Sequence, residues 1–161
     1  MTSSSSLLTA ITLNCQGLRN NTQRSVLFSW LSCFCPTIVC LQETHSTSQA
    51  EFDNWLTKET DNDNNKPNYK VLSSPGTTRS RGVAVLYHPS LTVPHSSSDS
   101  QGWLQVIHFT FHSHTFQLVN IYGPNQKKPG SHFLSIHPST PRSFTSHDRL
   151  RRFQHRSGCN D

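Results

Sequence analysis

The chain has 161 residues, 32% of them hydrophobic, with a mean hydropathy of -0.56 and a formal net charge of +5. That length suits one domain, and no apolar run approaches the length a bilayer-crossing helix needs. The positive charge points toward a polyanion only mildly, since the stretch through Lys128 holds nine basic and seven acidic residues and the rest of the excess lies in the tail, at Arg142, Arg149, Arg151, Arg152 and Arg156.

In chain order, Leu7 to Leu13 reads as a first strand and Gln16-Gly17 as a turn. Asn21 or Thr22 is expected to cap a helix in which Val26, Leu27, Trp30, Leu31 and Phe34 share one face, ended by Pro36. The uncharged, β-branched run Thr37 to Gln42 reads as a buried strand. Gln49 to Lys58 reads as a second helix with Phe52, Trp55 and Leu56 inward, and Asp61 to Pro67 as a polar loop. Tyr69 to Leu72 and Gly82 to Tyr87 read as strands on either side of a basic turn, Thr77 to Arg81. His95 to Gln101 reads as a Ser-rich loop. Leu104 to Phe111 and Thr115 to Tyr122 alternate and pair as a hairpin across His112-Ser113-His114. The order β-α-β followed by strands predicts a mixed α/β sandwich rather than a doubly wound parallel sheet.

Five cysteines (Cys15, Cys33, Cys35, Cys40, Cys159) make an odd count. Met1 is followed by a Ser run rather than a basic stretch and a long apolar core. A reducing compartment, nuclear or cytoplasmic rather than secretory, is therefore expected. Cys33-Phe34-Cys35 lacks zinc-ligand spacing.

Three strand ends carry polar residues. Asn14 follows Ile11-Thr12-Leu13, Gln42-Glu43-Thr44-His45 follows the second strand, and Tyr122 and Asn125 close the run through Val119-Asn120-Ile121. A carboxylate at a strand exit sits at the rim of a sheet, where ligand sites form. Glu43 can take a hard divalent cation through a carboxylate oxygen and leave positions for phosphate and water. Asn14 can orient a phosphate or support that carboxylate, Tyr122 can hydrogen-bond a phosphate oxygen, and Asn125 can place the loop or the substrate. Together they read as part of a metal-assisted phosphoester hydrolase site. Singly, each has a plainer reading: a solvated surface carboxylate for Glu43, turn formers for Asn14 and Asn125, a strand-end aromatic for Tyr122.

Four stretches in order, residues 11–18, 38–45, 82–87 and 119–125, resemble the endonuclease/exonuclease/phosphatase superfamily. Within it the chain is most similar to the apurinic-type endonuclease domain of LINE-type (non-LTR) retrotransposons, over roughly residues 6 to 128. The resemblance implies the N-terminal part of a four-layered α/β sandwich with mixed, largely antiparallel sheets, nicking DNA with Mg²⁺ (or Mn²⁺). It makes Glu43 the metal ligand with Asn14 in support, places Tyr122 on the scissile phosphate and Asn125 in the same loop, and gives the DNA phosphate backbone as partner.

The family's later Gly-Asp-Phe-Asn and Ser-Asp-His elements do not occur in these residues. Codons for Arg151 to Gly158 (CGG CGA TTT CAA CAC CGT TCT GGA), moved by one base, read Gly-Asp-Phe-Asn-Thr-Val-Leu-Asp once the T of Cys159 is added. The expected organisation is a partial domain over 1–128 and a disordered, frameshifted tail over 129–161, with little catalysis, marginal stability and exposed sheet edges. Two other readings are a non-catalytic nucleic-acid-binding remnant using Arg19, Arg24, Arg79, Arg81, Lys127 and Lys128, and a phosphatase of the same superfamily.

Overall fold

A computed structural model describes residues 7–60, 68–123 and 132–138. Two four-stranded sheets stack face to face, and two helices cover the far side of the first. The first sheet contains β1 (Ala10–Asn14), β2 (Ile38–Gln42), β3 (Lys70–Ser74) and β4 (Val83–Tyr87), in the order β1-β2-β4-β3. The β1–β2 pair is parallel and the others are antiparallel. The second sheet is an antiparallel meander of β5 (Thr92–Ser98), β6 (Leu104–Phe111), β7 (His114–Tyr122) and β8 (His132–Pro138). This is the expected mixed α/β arrangement.

Strand alternation builds two cores. Val39 and Leu41 of β2, with Ala84 and Leu86 of β4, turn toward α1 (Asn21–Phe34) and α2 (Gln49–Thr60) and meet Leu27, Phe28, Leu31, Phe52, Trp55 and Leu56. Ile38, Cys40 and Val85 point the other way, onto Ile107, Phe109 and Leu118 of the second sheet. A strand buried on both faces reads as an unbroken apolar run, and β2 is fully buried along its length.

Several boundaries and faces differ from expectation. The cap of α1 is Asn20, one residue earlier than read, because its side chain accepts from Thr22 N–H at 2.8 Å. Cys35 ends that helix in the left-handed region, its N–H bonded to Leu31 O at 2.8 Å. The buried stripe of α1 is Arg24, Leu27, Phe28 and Leu31, while Val26, Trp30 and Phe34 are exposed. Phe28, 1% exposed, takes the place in the core with Val39 and Leu41 that the sequence reading gave to Val26. Arg24 reaches Leu18 O and Arg19 O at 2.8 and 2.9 Å, and its guanidinium lies 5.1 Å from the Trp55 ring centroid.

The first half of the Ser-rich stretch expected as a loop, His95 to Ser98, is the end of β5. Its backbone pairs with β6 while its serines face solvent, so no apolar alternation announces it. His112 and Ser113, at φ 46° and 65°, make the two-residue turn between β6 and β7, matching the hairpin read from the sequence. In the segment expected to be disordered from 129 onward, His132–Pro138 is a strand paired along β7. The loop placed at Asp61 to Pro67, the rest of the tail and Asn125 lie outside the described residues.

Candidate active site at one end of the sandwich

Asn14 and Gln42 are register partners at the carboxyl ends of β1 and β2, so Asn14 stands beside the residue that precedes Glu43. Tyr122 ends β7 in the opposite sheet, and its hydroxyl donates to Glu43 Oε1. Residues 79 positions apart thus meet across the sandwich. Three of the four residues singled out by sequence lie at this end.

Gln42 and Asn120 hold the two sheets together just beneath. Both are fully buried. Gln42 Nε2 donates to Asn120 Oδ1 at 2.6 Å and to Thr12 Oγ1 at 2.9 Å; Asn120 Nδ2 donates to Leu41 O at 3.1 Å and Ala84 O at 3.0 Å. Two carbonyl acceptors fix the orientation of the Asn120 amide, which in turn fixes Gln42. Sequence reading gave neither residue a role. The available signal was a polar side chain on the core-facing positions of otherwise apolar strands, Ile38-Cys40-Gln42 and Phe116-Leu118-Asn120.

The loop after β2 is bent by its neighbours. Glu43 and His45 have φ of 52° and 58°, left-handed values that cost a non-glycine residue about 1 kcal/mol each. Backbone bonds on both sides hold them there: Gly17 N–H to Glu43 O at 2.8 Å, Leu18 N–H to Thr44 O at 2.9 Å, and Thr44 and His45 N–H to Gly82 O and Arg81 O at 3.0 Å. Gly82 has φ 89°, and a Cβ there would stand 2.5 Å from Thr44 Oγ1.

Tyr122 is braced in turn. Trp103 stacks on its ring, with centroids 5.7 Å apart and planes 13° from parallel. The Arg81 guanidinium lies 5.3 Å from the Trp103 centroid and donates to Gln101 Oε1 at 3.0 Å. Asp99 fixes this corner by accepting from Ser74 Oγ at 2.7 Å and from Trp103 and Leu104 N–H at 3.0 Å. Trp103 and Asp99 also escaped the sequence reading, because loop residues carry no periodicity.

Burial pushes the Tyr122 hydroxyl up to about 12, and the hydrogen bond to Glu43 and the carboxylate charge add to it. Tyr122 is therefore a neutral donor at neutral pH. Burial also holds the His45 imidazole below its ordinary value, with the Glu43 charge opposing and Arg19 reinforcing.

Among the described residues, no three His, Cys, Asp or Glu side chains gather into a metal cage. The donor set suits a different kind of ion. Mg²⁺ keeps most of its water and binds through one or two carboxylates plus substrate phosphate. Glu43 Oε1 takes the tyrosine hydroxyl and leaves the second oxygen for such a cation. One residue away, Gln42 Oε1 is buried with no hydrogen-bond partner, an orphaned acceptor suited to a donor such as cation-bound water. Asn14 Oδ1 accepts from Gln16 N–H at 3.0 Å, so its amide N–H groups are the part suited to a phosphate oxygen. The residues present fit a hydrated divalent cation next to a phosphate.

The cations named as a nucleic-acid surface divide differently from expectation. Arg24 is buried inside the helix layer and is withdrawn from any such surface. Arg19 pairs with Glu51 at 2.8 Å. Arg79 is exposed and Arg81 lies at the rim, while Lys127 and Lys128 lie outside the described residues. No described helix is long and apolar enough to cross a membrane.

A family model described as endonuclease/exonuclease/phosphatase matches residues 11–158. Solved structures similar to the chain include TDP2 from C. elegans, at 20% identity and a TM-score of 0.42, covering 83% of this chain and 36% of that one. A selenomethionine form of Caenorhabditis elegans TDP2 matches at 18% identity and a TM-score of 0.43, over 92% of this chain and 39% of the other. A truncated Caenorhabditis elegans TDP2 matches at 18% identity and a TM-score of 0.42, over 92% and 51%. The chain thus spans between about a third and a half of the length of these proteins.

Proposed function

The chain belongs to the endonuclease/exonuclease/phosphatase family, whose members generally depend on a divalent metal, and from that premise we propose that it is part of a Mg²⁺-dependent DNA endonuclease of the LINE-type retrotransposon branch. The observation that carries this reading is the Tyr122–Glu43 hydrogen bond, which joins the ends of two opposed sheets around one carboxylate. When bound, the cation supplies Lewis-acid polarisation of a phosphate oxygen. Glu43 holds it, Asn14 donates to the phosphate, and Tyr122, kept neutral, orients the carboxylate and offers its oxygen to the substrate side. Asn125 belongs to the same reading through the resemblance.

These 161 residues, taken alone, bind DNA and metal without turning substrate over. Activating water needs a general base, and the separating charge needs further donors. Among the described residues no three His, Cys, Asp or Glu side chains gather at the site to share that work. The frameshifted tail is part of the same proposal, and codons over 151–158 that cannot encode Gly-Asp-Phe-Asn one base on would remove it.

The test uses the purified chain and supercoiled plasmid. Retention of DNA that weakens with salt, without Mg²⁺-dependent nicking, is the expected result. Nicking abolished by Glu43→Ala would overturn the inactivity, and no retention of DNA at low salt would overturn the binding role.

A further inference from the structure

The loop between β3 and β4 is fastened to the site largely by backbone. Gly76 N–H donates to Ser46 O at 2.8 Å, Gly82 N–H to Gly102 O at 3.1 Å, and His45 N–H to Arg81 O at 3.0 Å. Gly76, Gly82 and Gly102 lie against one another with no room for a side chain: a Cβ on Gly102 would stand 2.7 Å from Gly82 N. Arg81, next to Gly82, has φ 66°, a left-handed value that glycine or asparagine adopts more readily than arginine. The fold thus fixes Arg81 one backbone bond from the loop that carries Glu43, in a conformation its residue type disfavours.

Its side chain is held as well. The guanidinium lies 5.3 Å from the Trp103 ring centroid, Trp103 stacks 5.7 Å from Tyr122, and Tyr122 donates to Glu43. Among the described residues Arg81 makes no ion pair, and its hydrogen bond goes to the neutral Gln101 Oε1 at 3.0 Å. The other described arginines are placed differently. Arg24 is buried, Arg19 pairs with Glu51, and Arg79 stands exposed in the turn closed by Thr77 N–H to Ser80 O at 2.8 Å.

We propose that Arg81 is a substrate-positioning residue of this site and holds a DNA backbone phosphate neighbouring the one that meets Glu43. The inference rests on the nuclease reading given above. A guanidinium carries its charge at any working pH and presents a fixed fork of N–H donors that matches phosphate oxygens. Contact with the Trp103 ring holds that fork in place before substrate arrives, so less freedom is lost on binding. The two ring spacings put Arg81 within about three phosphates of the Tyr122–Glu43 bond, at the roughly 3.4 Å axial spacing of one strand. A cation so close to the site, without a carboxylate to neutralise it, is placed for the substrate's own charge.

Fluorescence anisotropy of a labelled short duplex with the purified 161-residue chain, between about 50 and 200 mM salt, tests this. Arg81→Gln is expected to weaken binding about tenfold and to flatten the slope of log K against log salt by about 0.9, the share of one phosphate. Arg81→Lys should recover the slope but little of the affinity, since an ammonium lacks the planar fork. Arg79→Gln, in the exposed turn, should cost less than about threefold. A wild-type chain that fails to retain the duplex at low salt would bring down the nuclease reading and this inference with it. Retention by the wild type that Arg81→Gln matches in affinity and slope, a larger loss in Arg79→Gln than in Arg81→Gln, or a slope in Arg81→Lys equal to that of Arg81→Gln would each overturn the role of Arg81 and leave the Glu43 site standing.

Discussion

Replacing Asn120 by Ala removes the clamp between the sheets. The amide makes three hydrogen bonds, one from Gln42 and one each to the carbonyls of Leu41 and Ala84, and it is fully buried. A net hydrogen bond is worth about 1 kcal/mol, and a buried partner left unpaired costs about 1–3 kcal/mol. Gln42 keeps its bond to Thr12, so the loss falls mainly on the two carbonyls and on the small void. The sum is about 3–5 kcal/mol, a large share of the 5–15 kcal/mol typical of a domain. Urea unfolding of wild type and variant, with slopes compared to check that both unfold alike, gives the difference. Asn120→Asp keeps the acceptor but turns a negative charge toward two carbonyl oxygens, and should cost at least as much. A loss under about 1 kcal/mol in Asn120→Ala would refute the idea that this amide carries the contact between sheets.

Gly82→Ala combines a positive φ with a contact on Thr44 and should cost roughly 2 kcal/mol; an unchanged unfolding midpoint would show that the loop gives way easily. Trp103→Ala frees the Tyr122 ring and should weaken Tb³⁺ binding, read by sensitised luminescence, about fivefold, with Trp103→Phe restoring most of it; equal binding by all three proteins would remove the bracing role. Because the folded Tyr122 value of about 12 lies above the ordinary tyrosine value of 10.0, the neutral phenol's contribution to stability is whole below pH 10 and lost as pH rises toward 12. Tyr122→Phe should flatten that alkaline loss, and identical alkaline curves would contradict it.

The strands with strong patterns were legible in sequence. β2 and β4 are apolar up to their last residues, Gln42 and Tyr87, β6 and β7 alternate, and the short turn between them forces a hairpin. The site was legible at Glu43, Asn14 and Tyr122 because polar residues at strand ends stand out against such runs. What hid was set by packing or by backbone alone. The serines of β5 face water and lend the strand nothing but backbone bonds. The choice between Phe28 and Val26 for the buried face of α1 depends on the space over β2, which no periodicity records. Gln42 donates to Asn120 from 78 residues away, and Trp103 gains its place only when Tyr122 lies beneath it.

Diffraction from crystals soaked in Mn²⁺, collected at the manganese edge, tests the site most directly. A cation within coordination distance of the Glu43 carboxylate, on the oxygen not taken by Tyr122, and lost in Glu43→Gln, is the predicted result. Manganese bound elsewhere, or absent from a site in which Glu43 and Tyr122 remain in contact, would contradict it.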